Sequence, residues 1–214
     1  MGKTNLPDLS NCKLILASQS PRRRDLLRSV GLSFDIQPAN FDEDSETASA
    51  PLEYVKNLAC SKAAVIASRN PQALVIAADT IVVLSDTNPD LDGEIINKPL
   101  DAKHAREMLA QLTGRAHYVL TAFCLQCEAE KYLSLEVVQS QVKLKKLSTA
   151  EIDCYVRSGE PLDKAGAYAV QGKGAYFFES IAGSYTNVVG LPLTELVSEL
   201  KKIGAWKSEY LLCT

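Results

Sequence analysis

The segment at residues 14–27 constrains the fold more than any other part of the chain. Its apolar residues 14–16 predict a short buried strand, and Ser20 followed by Pro21 predicts that a helix begins at Pro21, because Ser is a favoured N-cap and Pro suits the first helical position. The arginines at 22–24 then lie in the first helical turn, where positive charge is unfavourable without an anion. We therefore expect the N-terminus of this helix, with its free backbone N–H groups and Arg side chains, to bind an anion such as a phosphate.

The rest of the chain alternates between strand and helix patterns. Ser148 and Glu151 form a capping box that predicts one helix start, and residues 129–131 join two long strand patterns as a hairpin. The predicted strands are 14–16, 34–37, 74–84, 117–128 and 132–147, and the predicted helices are 21–30, 51–69, 101–112, 148–158 and 191–203. This alternation, together with a long antiparallel hairpin, predicts an α/β protein with a mixed β-sheet flanked by helices.

Composition and charge argue against several classes of protein. The chain has 214 residues, of which 46% are hydrophobic, enough to bury one substantial core. A net charge of −3 disfavours a general nucleic-acid-binding role. No apolar run approaches the length of a membrane span, and the polar N-terminus lacks the apolar segment of a signal peptide. We therefore expect a cytoplasmic protein that contacts neither nucleic acid nor membrane.

The cysteines and histidines do not form a recognisable metal-binding motif. Without a secretory signal, the six scattered cysteines are expected to be free thiols. Cys124 and Cys127 form a CxxC pair, but they lie in a predicted strand, where residues three apart point to opposite faces. The two histidines, His104 and His117, fall in different predicted elements. General-base chemistry is therefore expected from a carboxylate.

Asp79 lies in the middle of the strongly apolar strand pattern at 74–84. A buried, ionised carboxylate without a partner is costly, so Asp79 is predicted to reach a cation or a water-filled cleft. The other polar candidates at predicted strand ends, helix starts and loops are Ser18, Arg22, Arg23, Glu43, Lys62, Lys98, Asp163, Lys164 and Gln171. Taken singly, each of these others also suits an ordinary solvated surface. Taken together, they are what hydrolysis of a nucleoside triphosphate requires, because cations neutralise phosphates while carboxylates hold Mg²⁺ and activate water.

Two glycine-containing segments complete the set of candidates. Residues 159–168 are too rich in small and kinking residues for a regular strand, and their glycines allow close approach to a ligand, which predicts a binding loop. Residues 183–187 predict a tight hydrogen-bonding turn whose role, functional or structural, stays open. No GxxxxGK[ST], GxGxxG or GxSxG motif occurs, so the common P-loop, dinucleotide-binding and serine-hydrolase mechanisms lack their residues.

Several blocks of the sequence, in order, resemble the Maf family of nucleoside triphosphate pyrophosphatases. The blocks read LILASQSPRRRDLL, AADTIVV, NKPLDAKHAREML followed by LTGRAHYVLTA, GEPLDKAGAYAVQG, and GSYTNVVGLPL. The resemblance covers nearly the whole chain and implies an elongated, two-lobed α/β fold similar to that of the inosine triphosphate pyrophosphatases, with substrate between the lobes. It implies a single catalytic domain at 13–210 after an N-terminal extension at 1–12.

Three positions resemble the branch of the family that acts on dTTP and UTP. The branch that acts on 7-methyl-GTP has an aromatic residue at the position of Arg22, Gln at that of Thr80 and Glu at that of Gln171. A Gln amide can both donate and accept hydrogen bonds at a pyrimidine edge, whereas a carboxylate suits a methylated, positively charged guanine. The resemblance therefore implies that these three residues set substrate specificity.

The resemblance also implies a role for each remaining candidate. Asp79 is the expected catalytic acid/base, and Glu43 and Asp79 are expected to hold a divalent metal cation, Mg²⁺ or Mn²⁺. The expected phosphate site consists of Ser18, Arg22, Arg23, Lys62 and Lys98, beside the binding loop with Asp163 and Lys164. Water would attack the α-phosphorus, and the products would be a nucleoside monophosphate and pyrophosphate.

Two other functions remain open at this point. Relatives in the family are associated with arrest of septum formation, so one alternative is a nucleotide-binding regulator of cell division without significant turnover. The other is a house-cleaning pyrophosphatase that prefers modified pyrimidine nucleotides. The two long strand patterns, with exposed edges, also predict a homodimer.

Overall fold

A mixed β-sheet forms the centre of the protein in the computed structural model, which describes residues 6–41 and 50–212. Within those residues the sheet has seven strands: β1 (Leu14–Leu16), β2 (Asp35–Ile36), β3 (Leu74–Leu84), β4 (Glu94–Ile96), β5 (Ala116–Cys127), β6 (Tyr132–Leu144) and β7 (Phe178–Ala182). Their order is β2-β1-β3-β5-β6-β7, and β4 also pairs with β3. The β1 pairs are parallel and the others antiparallel, which confirms the predicted mixed α/β sheet.

Helices flank this sheet, and two of them begin at the caps that the sequence predicts. They are α1 (Pro21–Ser29), α2 (Pro51–Ala67), α3 (Ala102–Leu112), α4 (Thr149–Arg157), α5 (Tyr185–Val189) and α6 (Leu193–Lys202). Ser20 caps α1, and the Ser148–Glu151 capping box begins α4, as predicted. In the described part of the chain, no helix is long and apolar enough to cross a membrane.

The side chains of strand β3 alternate between the two faces of the sheet. They contribute to one packed cluster on one face and to two clusters on the other. Val75, Ala77 and Ile81 pack against α2 in one cluster, and we call this side of the sheet the α2 face. On the opposite side, Leu74 and Ile76 lie in a cluster with α6. Farther along the same side, Val82 and Leu84 lie in a cluster with α3 and α4. Thr80 lies between these last two clusters, where α5 contacts the sheet; we call this side the α5 face.

The edge of β3 opposite β5 has an opening in its middle. β1 pairs with Leu74, Val75 and Ile76, and β4 pairs with Val82, Val83 and Leu84. Between these two partners, no strand within residues 6–41 and 50–212 pairs with residues 77–81 along that edge, so other elements can approach it there. Asp79 and Thr80 lie in this opening, next to the turn that leads from β1 into α1.

Some elements differ from the sequence prediction, and short length explains most of the differences. β4 has three residues and β7 has five, too few for a clear alternation, and neither was predicted. Residues 183–187 were predicted as a turn, but Ser184 caps the five-residue helix α5. Cys124 and Cys127 lie in clusters on opposite faces, which confirms the geometry expected for this pair.

The N-terminal extension and the outer edge of β6 were also subjects of prediction. Leu9, in the predicted extension, is buried and donates its N–H to the Ile203 carbonyl at 2.8 Å, so this part packs on the domain. β7 pairs with residues 141–144 of β6, so in the described structure residues 132–140 have no strand partner on that side. The boundaries at 1–12 and 13–210 and the homodimer stay predictions.

Candidate active site

A cleft of about 1160 Å³ opens beside the middle of β3, at Asp79 and Thr80. Side chains reach it from the β1–α1 turn, α2, β3, the connection after β4, α3 and the loop before β7. The cleft is lined by most of the predicted site residues, namely Ser18, Arg22, Arg23, Lys62, Asp79, Thr80, Lys98, Asp163 and Lys164. The structure thus brings together residues that are up to 146 positions apart in the sequence (164 − 18).

Asp79 and Lys62 form a buried ion pair at the floor of this cleft. Asp79 lies on the α2 face, and its carboxylate accepts a hydrogen bond from the ammonium group of Lys62 on α2. Each residue is only 8% exposed. Asp79 was predicted to reach a cation or a water-filled cleft, and it pairs with a cation while also lining the cleft. A carboxylate held in this way can accept a proton from water or ligate a cation.

The guanidinium of Arg23 is held by three acceptors. Its Nε donates to the Gly190 carbonyl at 2.8 Å, and its other nitrogens donate to Thr80 Oγ1 at 3.0 Å and to Ser18 Oγ at 3.4 Å. Arg23 lies in the first turn of α1, where the backbone N–H groups and the helix dipole add positive character. This corner of the cleft is therefore suited to a phosphate group.

The two neighbouring arginines have different surroundings. Arg22 lines the cleft and lies 4.0 Å from the Asp163 carboxylate on the opposite rim. Arg24 pairs with Asp25 at 2.9 Å and is absent from the cleft lining. Of the three arginines that predicted an anion site, Arg22 and Arg23 face the cleft.

The predicted binding loop is held against the connection after β4. The Lys164 ammonium donates to the Glu160 carbonyl and to the Asp163 carboxylate, both at 2.6 Å. Burial raises the pKa of Asp163, but the hydrogen bond and charge of Lys164 outweigh it, so the pKa lies below its ordinary value. Gly166 has a φ of 70°, and a Cβ there would lie 3.0 Å from Tyr168 and Val82. The loop therefore requires glycine where it approaches the core.

Two predicted site residues are not among the described residues that line the cleft. Gln171 is exposed and does not line it, although Ala169 and Val170 just before it do. Glu43 lies outside the described residues. The specificity role of Gln171 and the metal-ligand role of Glu43 stay predictions.

The structure also adds residues that the sequence analysis did not single out. Tyr54, Asn97 and His104 line the cleft, and the Gly190 carbonyl holds Arg23. Thr121 and Asn187 lie behind the cleft and are fully buried. A signal for both was present, because Thr121 interrupts an apolar strand and Asn187 belongs to the GSYTN segment.

The donors at the cleft fit a hard divalent cation. Mg²⁺ and Mn²⁺ prefer carboxylate and phosphate oxygens, and Mg²⁺ is usually held by one or two carboxylates together with substrate phosphates. The Asp79 carboxylate supplies one such ligand at the cleft. No cluster of three or more His, Cys, Asp or Glu residues able to hold a metal is found in 6–41 and 50–212. A metal bound to Asp79 would therefore need further oxygen ligands, and phosphate oxygens of a substrate can supply them.

Comparison with known protein families matches residues 13–203 to the family described as Maf-like protein. The chain belongs to the Maf family. It is 47% identical over 193 residues to the dTTP/UTP pyrophosphatase of Syntrophus aciditrophicus, covering 90% of this chain and 91% of that protein. It is 48% identical over 195 residues to the dTTP/UTP pyrophosphatase of Anaeromyxobacter dehalogenans, covering 90% and 94%. The dTTP/UTP pyrophosphatase of Myxococcus xanthus is 46% identical over 191 residues, covering 89% and 92%. The family resemblance seen in the sequence blocks is confirmed.

Proposed function

We propose that this protein is a nucleoside triphosphate pyrophosphatase that hydrolyses dTTP and UTP to the nucleoside monophosphate and pyrophosphate. The observation that carries the proposal is the buried Asp79 carboxylate, which faces a cleft lined by Arg22, Arg23, Lys62 and Lys98. This arrangement places a base beside several cations, as phosphoanhydride hydrolysis requires. The names of the similar proteins support dTTP and UTP as substrates.

In this mechanism Asp79 accepts a proton from a water molecule that attacks the α-phosphorus. The bond from the α-phosphorus to the bridging oxygen breaks, and pyrophosphate leaves with that oxygen. Lys62 holds the Asp79 carboxylate in position. Arg22, Arg23 and Lys98 stabilise the charge that develops on the departing pyrophosphate, as fixed cations do in a site with little water.

A divalent metal, Mg²⁺ or Mn²⁺, belongs to this proposal. Asp79 and Glu43 would hold it together with phosphate oxygens of the substrate. The metal would neutralise phosphate charge and lower the barrier to attack. Both carboxylates provide the hard oxygen ligands that these cations prefer.

Specificity for pyrimidine nucleotides is assigned to Arg22, Thr80 and Gln171. Arg22 lies at the rim next to the loop that carries Asp163. The Thr80 hydroxyl contacts Arg23, which favours an indirect contribution through the phosphate site. A house-cleaning role, with modified pyrimidine nucleotides as substrates, is compatible with the same site.

The decisive experiment measures pyrophosphate release from a panel of canonical and modified nucleoside triphosphates with Mg²⁺. We expect wild-type protein to turn over dTTP and UTP, and Asp79→Asn to lower kcat by roughly 10² to 10⁴-fold, the usual contribution of a general base. Asp35→Asn is a matched control, because it also removes a carboxylate from an ion pair, with Lys13, but lies outside the cleft lining. Faster turnover of modified pyrimidine nucleotides would support the house-cleaning role.

One result would overturn the proposed mechanism, and another would overturn the proposed function. Full activity of Asp79→Asn would remove Asp79 from the mechanism. Binding of dTTP by wild-type protein without release of pyrophosphate, with either metal, would favour the alternative of a nucleotide-binding regulator.

A further inference from the structure

Thr80 and Thr121 lie directly opposite each other in neighbouring antiparallel strands β3 and β5. Their side chains share the α5 face, and their hydroxyl oxygens are 2.9 Å apart. Thr121 is fully buried and does not line the cleft, whereas Thr80 does. The pair therefore connects the cleft with the interior of the protein.

The direction of the hydrogen bonds in this region follows from the acceptors available. Thr121 Oγ1 lies 3.1 Å from the backbone carbonyl of Asn187, which can only accept, so Thr121 donates its single proton there. Thr121 must then accept the proton of Thr80. The lone pairs of Thr80 are consequently left to accept from the Arg23 guanidinium at 3.0 Å. The donors run in one order, from Arg23 through Thr80 and Thr121 to Asn187.

The end of this chain of hydrogen bonds is fixed in the interior. Asn187 is fully buried, and its side-chain amide donates to the Val119 carbonyl at 3.1 Å and to Ser140 Oγ at 2.9 Å. These two bonds attach α5 to both β5 and β6. Three residues later the Gly190 carbonyl accepts from Arg23 Nε at 2.8 Å. One anchored helix therefore supports the Arg23 guanidinium by two routes.

We propose that Thr121 is a positioning residue for Arg23, acting through Thr80, and that the GSYTNVVG segment provides the anchor for both. The proposal rests on the proposed function, since it assumes that Arg23 binds a substrate phosphate. Without the Thr121 hydroxyl, Thr80 has a second acceptor in the Gly190 carbonyl, 3.4 Å away. Its proton would turn toward that carbonyl, and the lone pairs of Thr80 Oγ1 would turn with it, away from the direction in which they now accept from the guanidinium. Arg23 would then be held less firmly, by Gly190 and Ser18.

The test compares Thr121→Val, which keeps the shape but removes the hydroxyl, with Thr121→Ser, which keeps the hydroxyl. Two quantities are measured: the affinity for inorganic pyrophosphate by calorimetry, and KM and kcat for dTTP. We expect Thr121→Val to weaken pyrophosphate binding and to raise KM by roughly three- to ten-fold, the size of one lost hydrogen bond. Because Arg23 also stabilises the departing pyrophosphate, kcat is expected to fall as well, but by no more than this factor. Thr121→Ser is expected to retain both values.

A purely structural role for Thr121 predicts a different pattern. Loss of folded protein lowers the apparent kcat and leaves KM unchanged, and that result would contradict the proposal. Equal pyrophosphate affinity in Thr121→Val and wild type would also contradict it. If Thr121→Val does not fold, Thr121→Cys, with its weakly bonding thiol, is expected to bind pyrophosphate more weakly than Thr121→Ser. Equal affinities of these two variants would overturn the proposal.

A double-variant comparison identifies Arg23 as the group that Thr121 affects. In an Arg23→Gln background we expect Thr121→Val to cause no further loss of pyrophosphate affinity. A further loss of the same size would show that Thr121 acts elsewhere. Because pyrophosphate binding needs no turnover, this measurement separates failure of the positioning role from failure of the proposed hydrolysis.

Discussion

Asp79 and Thr80 are consecutive residues of one strand, but they face opposite sides of the sheet and use different chemistry. On the α2 face, the Asp79 carboxylate is buried beside the charged Lys62. On the α5 face, Thr80 connects the Arg23 guanidinium to uncharged groups, namely the Thr121 hydroxyl and the Asn187 backbone. A strand therefore places a reactive charge and the support for a phosphate-binding arginine next to each other while keeping their hydrogen-bond partners separate.

The two faces differ in how much stability is lost when one hydrogen-bonding or charged partner is removed. A buried ion pair is sensitive to the loss of one partner, because the remaining buried charge is left uncompensated. A neutral hydrogen-bond chain loses less when one hydroxyl is removed, since no charge becomes unpaired. The two faces should consequently respond very differently to single substitutions.

The largest effect is expected on the α2 face. Lys62→Met removes the partner of Asp79 and is expected to lower the free energy of unfolding by about 3–5 kcal/mol, as breaking a buried ion pair does. Urea denaturation measures the change. Lys56→Met on the same helix is the matched control, because Lys56 pairs with the more exposed Glu53 and is expected to cost less than about 1 kcal/mol.

The double variant Lys62→Met with Asp79→Leu strengthens this test. It removes both charges, so its unfolding free energy should lie above that of Lys62→Met alone. A double variant that is less stable than the single variant would show that packing, rather than an unpaired charge, sets the cost.

The next largest effect is expected from His117, a buried histidine on the α5 face whose protonation should make stability depend on pH. His117 is fully buried, and its Nε2 lies 2.6 Å from the Tyr168 hydroxyl. Burial lowers the pKa of His117 from 6.5 to about 4. The unfolded chain therefore binds a proton at a higher pH than the folded chain does, and stability is lost as the pH falls from about 6.5 toward 4.

The expected loss from this one group is of the order of 3 kcal/mol, the free energy that corresponds to a pKa difference of this size. The measurement compares the unfolding free energies of wild type and His117→Gln at several pH values. The difference between the two proteins should change across pH 6.5 to 4 and be constant above pH 7. A difference that does not depend on pH would contradict this prediction, because it would show that the pKa of His117 is the same in the folded and the unfolded protein.

The central elements could be predicted from the sequence because their patterns are long and their caps are chemically specific. Ser20 with Pro21 predicted the start of α1, and β3 was predicted with the bounds Leu74–Leu84 that the structure has. β4 and α5 escaped prediction because three and five residues are too few to show a period. Their position depends on tertiary partners, β3 for β4 and the Asn187 contacts for α5.

The candidate site, like the fold, could be predicted from the sequence only in part. Asp79 could be singled out because an acid in an apolar strand needs a partner, and the structure supplies Lys62. That Lys62 is this partner could not be deduced, because a lysine on a helix surface has the same local pattern whether it is solvated or paired. The hydrogen bond from Arg23 to the Gly190 carbonyl could not be predicted either, because a backbone acceptor has no signature in the sequence.

The smallest effect is expected from Thr80→Val, which interrupts the hydrogen bonds that run from Arg23 through Thr80 and Thr121 to Asn187. It removes an acceptor of Arg23 and the donor to Thr121, and we expect a loss of about 1–2 kcal/mol in unfolding free energy. Because Thr80 and Thr121 belong to one chain, the double variant Thr80→Val with Thr121→Val should be clearly less destabilised than the two single losses added together. Denaturation of all four proteins measures this coupling. Full additivity would mean that the two hydroxyls act independently and that the α5 face, unlike the α2 face, contains no coupled polar unit.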